Sequence, residues 1–102
     1  MSKKFTQTSY KLKSPQRLVA GSTMVRSAQF NDYIDTYRVV GNSNFWLATG
    51  SSTVTAQSSA GNTTSTFHIA GVTEYINANG RYASVIAESS TAGIVSIAEA
   101  VQ

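Results

Sequence analysis

The sequence predicts an all-β domain, an antiparallel β-sandwich or jelly roll of about seven to eight strands that follows an extended N-terminal arm. Ser and Thr make up about a quarter of the 102 residues, whereas Leu occurs only three times. Helical domains rely on Leu, Ala, Glu and Lys, while Thr, Val, Ile, Tyr and Phe suit a pleated sheet. From Arg17 onward, segments rich in strand-forming residues alternate with Gly, Asn and Ser clusters at the spacing of a sandwich or jelly roll.

Residues 1–16 are predicted to form the arm, and residues 17–102 a single β-sandwich domain. The few apolar residues of the first segment fit neither one face of a helix nor one face of a strand. Pro15 is expected to hold Ser14 in an extended conformation and to keep the arm from continuing into a sheet interior.

Charge is divided unevenly along the chain. The first 26 residues hold six cations and no acid, whereas the remainder holds two arginines against five acids, for a net charge of +3. A basic terminus is typical of a tail that binds nucleic acid or an acidic protein surface, or of a solvated end that only aids solubility. We expect no nucleic acid, because the aromatic residues that would stack on bases lie in the body. The candidate partner-binding residues of the arm are Lys3, Lys4, Phe5, Tyr10, Lys11 and Lys13.

The body divides into nine segments rich in strand-forming residues, of which we expect seven or eight to be strands, and five of these segments lie in its first half. Each ends at Gly, Asn or Ser, residues that favour turns. In the third, Tyr33, Tyr37 and Val39 lie on one face, and Ile34, Thr36, Arg38 and Val40 lie on the other. The fourth carries the only tryptophan, Trp46. These strands are 17–20, 22–30, 33–40, 45–49 and 53–57.

The second half is predicted to contain strands at 63–69, 72–78, 81–88 and 94–101. Asn79-Gly80 is the strongest local signal, because both residues tolerate the positive φ of a two-residue hairpin turn. We therefore expect 72–78 and 81–88 to pair antiparallel. The last segment is also compatible with a short helix, since Ala98-Glu99-Ala100 favours one.

Few residues could perform chemistry. The absence of Cys excludes disulfides, thiolate zinc sites and a cysteine nucleophile, and one His cannot build a His-rich metal site. We therefore expect no enzyme, no cofactor and no metal. His68 would need a carboxylate to act as a general base, and Glu74 could approach it from a neighbouring strand. Since Phe67 and Ile69 should share the buried face, a surface position for His68 is the expectation.

Trp46 is the candidate for a ligand-stacking residue, because sugars and bases stack on indole rings. Its neighbours Phe45, Leu47 and Ala48 are apolar. The expectation from the sequence is therefore that Trp46 is half-buried in the core.

Several short segments carry a resemblance to a known class of proteins. They are Tyr37–Val40, Asn44–Gly50, Ser52–Ala56, Ala70–Tyr75, Tyr82–Ala87 and Ser90–Ile97. Together they resemble small structural proteins of tailed bacteriophages, and the chain is similar in size and composition to capsid decoration (cement) proteins, which have a jelly-roll body and an extended arm. The resemblance covers residues 37–102, and its motifs are turn and strand patterns.

The resemblance implies a virion protein that binds the major capsid protein and stabilises the shell, with a head-tail or tail ring component as an alternative. A receptor- or carbohydrate-binding module of a phage particle is a further alternative. Small β-domains are often helped by association, so we expect a homo-oligomer, a dimer or trimer. No run of about 20 apolar residues is present. We therefore expect no membrane partner. The resemblance implies synthesis in the bacterial host cytoplasm and a final location on the capsid surface.

Overall fold

The fold is an all-β sandwich of two four-stranded antiparallel sheets, as the sequence predicts. The structure, a computed structural model, describes residues 11–31, 36–59, 61–77, 79–89 and 91–101. Within these residues the strands are β1 (Lys11–Ala20), β2 (Val25–Arg26), β3 (Thr36–Gly41), β4 (Phe45–Gly50), β5 (Thr66–His68), β6 (Glu74–Asn77), β7 (Tyr82–Ala87) and β8 (Gly93–Val101).

The order of the strands makes this sandwich a jelly roll. Sheet A has the order β1-β8-β3-β6, and sheet B has the order β2-β7-β4-β5. The first strand therefore pairs with the last, the second with the seventh, the third with the sixth and the fourth with the fifth. The chain is in effect one long hairpin that is folded over into two sheets.

The core lies between the inner faces of the two sheets. Along β3 the burial alternates, so that Tyr37 and Val39 point inward. The ring of Phe30 packs against that of Tyr37 with 4.7 Å between centroids. The cluster of buried apolar residues is Leu18, Ala20, Phe30, Tyr37, Val39, Phe45, Leu47, Ala83, Val85, Ala87, Val95 and Ile97.

One open side of the sandwich is closed by a glutamine side chain. The Gln16 amide nitrogen donates to the carbonyl oxygen of Ala28 at 3.2 Å, and the Ala28 N–H donates to Gln16 Oε1 at 2.8 Å. The side chain thus takes the place of a neighbouring strand for Ala28. This pair of hydrogen bonds joins β1 of sheet A to the chain that leaves β2 of sheet B.

The regular strands begin at Lys11, earlier than the predicted boundary at Arg17. Lys11 and Lys13 pair with Val101 and Glu99 of β8, and the register shifts between Lys13 and Gln16. Ser14 lies in this irregularity with φ of 52°, so it is left-handed and not extended as predicted. The strand absorbs a proline because β1 is an edge strand, where a missing N–H breaks no ladder. Of the arm, residues 1–10 lie outside the described residues.

The predicted hairpin at Asn79-Gly80 is wrong. β6 pairs with β3 in sheet A, whereas β7 lies between β2 and β4 in sheet B. The turn therefore crosses from one sheet to the other. Gly80 has φ of +122°, and its carbonyl accepts a hydrogen bond from the Tyr37 hydroxyl at 2.8 Å. Turn propensity reports the backbone angles that a dipeptide tolerates, but it does not report which strands the turn connects.

Residues 53–57 are not a strand, which corrects another expectation. They lie across the outer face of sheet B, where the Ala56 N–H donates to Ser84 Oγ at 2.9 Å and the Arg26 Nε donates to the Val54 carbonyl at 2.7 Å. Ser84 is consequently fully buried although it faces outward. Of the predicted strand 22–30, only β2 is regular. The last segment is strand β8 and not the alternative helix.

Tyr37 makes the stability of this fold sensitive to alkali. Burial, and then the nearby Glu99 carboxylate, raise the pKa of Tyr37 from 10.0 to about 12. Between those values the folded state binds more protons than the unfolded state, so stability is full below pH 10 and is lost as the pH rises toward 12. The loss should reach up to about 3 kcal/mol.

Tyr37→Phe should cost about 1 kcal/mol at neutral pH through the lost hydrogen bond, and should flatten this alkaline decline. Urea unfolding of both proteins across the alkaline range measures the slope. Tyr75→Phe, at a half-exposed tyrosine, is the control and should keep the wild-type slope. Equal slopes for Tyr37→Phe and wild type would contradict the assignment.

Candidate binding faces of the two sheets

The outward side chains of sheet A form a surface that we call the sheet A face. Arg17 and Arg38 lie on it, across from Ser96 and Ala98 of β8. Neither arginine forms a hydrogen bond or ion pair with another described residue. Four large hydrophobic side chains on this face are between 45 % and 59 % exposed: Leu12, Val19, Tyr75 and Ile94.

No acidic residue among the described parts of the chain lies on the sheet A face. Glu99 is buried on the inner side of β8 and accepts the Asn31 N–H at 2.9 Å. Glu74 bonds to His68, and Glu88 accepts from an asparagine on the sheet B side. The sheet A face therefore combines positive charge with exposed apolar area.

The candidate arm residues are only partly placed. Lys11 and Lys13 are exposed on β1, the same strand that carries Arg17. The other four candidates, Lys3, Lys4, Phe5 and Tyr10, lie outside the described residues. The cross-strand partners of Lys11 and Lys13 are Val101 and Glu99, so both lysines lie on the other side of sheet A from Arg17, whose partner is Ser96.

The outward side chains of sheet B near its β5 edge form a second surface, which we call the sheet B patch. Trp46 is half-buried there, and its cross-strand partners are Ile86 of β7 and Phe67 of β5. The rings of Trp46 and Phe67 lie 5.1 Å apart between centroids at 59°. Trp46 is half-buried as expected, but it lies on the outer face and not in the core, because Phe45 and Leu47 on either side of it point inward.

A polar pair borders this row of apolar side chains. The Asn44 amide nitrogen donates to Glu88 Oε1 at 3.2 Å, and Asn44 Oδ1 accepts the Ala70 N–H at 2.8 Å. Asn44 precedes β4 and Glu88 follows β7, and the Glu88 N–H donates to the Asn44 carbonyl at 3.1 Å. Sequence analysis did not single out this pair, because its two members are 44 residues apart in the chain. Only the register of β4 against β7 brings them together.

The orientation of β5 is opposite to the prediction. His68 is buried at 4 % exposure, whereas Phe67 and Ile69 are 38 % and 57 % exposed. The imidazole stacks on the Phe45 ring with 5.0 Å between centroids and 11° between planes. Phe45 and His68 are cross-strand partners on the inner face, so the register of β4 with β5 decides which side of β5 is buried.

His68 forms hydrogen bonds that close the second open side of the sandwich, between β5 and β6. Its Nδ1 lies 2.5 Å from Glu74 Oε1, and its Nε2 lies 2.7 Å from Thr66 Oγ1. The Thr66 hydroxyl also donates to the Leu47 carbonyl oxygen of β4 at 3.4 Å. Because β5 and β6 are the edge strands of different sheets, this chain of bonds holds the two edges together. The burial of the His68 imidazole is therefore explained by its structural role in linking the two sheets.

Three surface clefts lie near Asn79, with volumes of about 190, 450 and 520 Å³. Their described lining is mainly Gly, Ser, Thr, Asn and Gln, with Arg81 as the charged member. General acid–base catalysis needs titratable groups that converge on one point. The described lining of these clefts brings no carboxylate or imidazole to such a point.

No known protein family, curated protein or solved structure matches this chain. Among the described residues, no helix is long and apolar enough to cross a membrane, and no group of three or more His, Asp or Glu could hold a metal ion. The geometry of the two sheet faces is therefore the basis for the proposals that follow.

Proposed function

We propose that this protein is a structural component of a tailed-phage particle, a capsid decoration (cement) protein that binds the major capsid protein and stabilises the shell. The observation that carries the proposal is the sheet A face, with two unpartnered arginines, exposed apolar side chains and no described acid. The jelly roll is a common architecture of viral capsid domains. The phage-like order of strand and turn motifs in residues 37–102 gives further support.

The chemistry of the sheet A face specifies the kind of partner. Arg17 and Arg38 favour an acidic surface, and unpartnered guanidinium groups can form bidentate bonds with carboxylates. Val19 and Ile94 are direct cross-strand neighbours and supply apolar area beside the arginines. Leu12, on the same strand as Arg17, extends the apolar area of this face toward the arm. A partner with acidic side chains around an apolar centre fits this face.

Substitution of Arg17 tests the docking role. Arg17→Glu and Arg38→Gln should each weaken binding to purified shells that lack the protein, by about tenfold at low salt for Arg17→Glu. The wild-type affinity should fall as salt rises, and this dependence should be smaller in both variants. Co-sedimentation with shells at several salt concentrations measures the effect.

Arg81→Glu is the matched control, because Arg81 is exposed, changes charge by the same amount and lies beside Gly80, away from the sheet A face. Its shell affinity should stay close to wild type. Thermal melting of each variant confirms that the fold is intact. Unchanged affinity for both Arg17→Glu and Arg38→Gln would rule out docking through this face. Deletion of residues 2–10 tests the arm in the same assay.

A head-tail or tail ring component would need the same kind of small β-domain as a shell protein. A shell protein is present in hundreds of copies, whereas a head-tail or tail ring component is present in few, so the copy number per particle separates them. We also propose that the protein is a dimer or trimer. Self-association through the sheet A face would bring its arginines together, so that face is left to the capsid partner.

A further inference from the structure

We propose that the sheet B patch is a binding site for a neutral oligosaccharide made of pyranose rings. The patch is the row Ile86-Trp46-Phe67 together with the bordering pair Asn44 and Glu88. This inference goes beyond the docking role and does not depend on it, because the sheet A face and the sheet B patch are on opposite outer faces of the sandwich.

The shape of the row suits linked sugar rings. Trp46, Phe67 and Ile86 are aligned across three neighbouring strands, and each is partly exposed. Because neighbouring strands lie about 4.8 Å apart, the row is about 10 Å long, the length of two linked pyranose rings. One face of a pyranose is covered with C–H groups, which pack on an aromatic ring. An apolar row on a flat sheet can therefore hold a short stretch of glycan.

The bordering pair supplies the polar part of the site. Asn44 precedes Trp46 by two residues and Glu88 follows Ile86 by two residues, so the pair lies about 7 Å from the row. Glu88 Oε1 accepts from Asn44, while its second carboxylate oxygen has no hydrogen-bond partner among the described residues. A few fixed polar groups beside apolar area are typical of small-ligand sites. The free carboxylate oxygen can accept hydrogen bonds from sugar hydroxyls.

Two features favour a neutral sugar over a protein partner. The row and the exposed Ile69 next to it comprise four apolar side chains, far fewer than the roughly 20–30 residues that each partner contributes to a stable protein complex. The residues 53–57 that lie across the neighbouring part of sheet B also restrict the open area, since Ser84 and Ala48 beneath them are buried. Glu88 places a negative charge at the rim, which disfavours anionic ligands and an acidic protein surface.

Trp46 is the only tryptophan, so its fluorescence reports on the patch directly. The full chain is titrated with hexasaccharides of glucose, galactose, mannose and N-acetylglucosamine in their α and β linkages. At least one should give a saturable emission shift with half-saturation at or below roughly 1 mM. No shift with any of these sugars would overturn the proposal.

Variants then place the binding site, with calorimetry against the sugar that binds. Trp46→Ala should weaken binding at least about tenfold, Glu88→Gln about threefold to tenfold, and Trp46→Phe only slightly, because a ring is kept. Tyr75→Ala, at an exposed aromatic of the sheet A face, is the control and should leave the affinity unchanged. Unchanged affinity in Trp46→Ala would also overturn the proposal. A third result would also overturn the proposal: the wild type binds no sugar, and Trp46→Ala loses binding to the shells. That result would assign the patch to a protein partner.

Discussion

Phe45→Ala should destabilise the protein by about 3–5 kcal/mol, among the largest effects of a single substitution here. The ring is 1 % exposed, stacks on His68 and lies against Gly41, where a Cβ would overlap it. Removal of the ring leaves a cavity between the sheets and takes away the packing surface of a buried imidazole. Urea or thermal unfolding, followed by circular dichroism, measures the change in the free energy of unfolding.

Phe67→Ala is the matched control for this prediction. The residue type is the same and the position is on the neighbouring strand of the same sheet, but Phe67 is 38 % exposed on the outer face. We expect a loss of about 1 kcal/mol. Equal losses at the two positions would mean that β5 is not oriented with His68 inward.

Gly80→Ala should cost about 2–5 kcal/mol, from backbone strain and from overlap. At φ of +122° the residue lies in a region that L side chains rarely adopt. A Cβ at this position would overlap the backbone of Gly50, including its carbonyl oxygen, and a backbone cannot move aside as the end of a flexible side chain can. The crossing between the two sheets would have to shift, and with it the acceptor of the Tyr37 hydroxyl.

Gly61→Ala separates the two contributions. Gly61 has φ of +81°, but a Cβ there meets nothing within 4 Å. It should therefore show only the conformational part of the cost, about 1 kcal/mol. Thermal melts of both variants give the comparison, and a loss at Gly80 no larger than that at Gly61 would contradict the close approach of Gly80 to Gly50.

Phe45 and Gly80 also show which features of the fold can be predicted from the sequence. Phe45 and Gly80 are both conspicuous in the sequence, one as an aromatic beside Trp46 and the other as half of a turn dipeptide. The sequence predicts that Gly80 turns the chain, which is confirmed. It also predicts that the flanking strands pair, which is wrong, because the pairing depends on β3 and on β2 and β4, which lie far away in the chain.

In the candidate binding faces, too, some features follow from the sequence and others only from strand pairing. Alternation places Tyr37 and Val39 on one face of β3 and Arg38 and Val40 on the other, but it does not decide which face is buried. In β5 only three residues are regular, and the pattern Thr66-Phe67-His68 is amphipathic in either orientation. The pairing of His68 with Phe45, and the bond to Glu74 on the other sheet, decide the orientation. The exposure of Trp46 beside Phe67 follows from that choice.

The sequence by itself determined that this protein is a β-domain with short strands, glycine turns and a basic start, because composition and periodicity act locally along the chain. Tertiary structure alone decided that the sandwich is a jelly roll, that β1 begins within the predicted arm, and that the arginines and the tryptophan occupy opposite outer faces. Strand order and register are set by contacts between residues distant in sequence. A shift of one residue in register exchanges the inner and outer faces of a strand, so the choice between core and surface for Trp46 and His68 could not be made before the sheets were assembled.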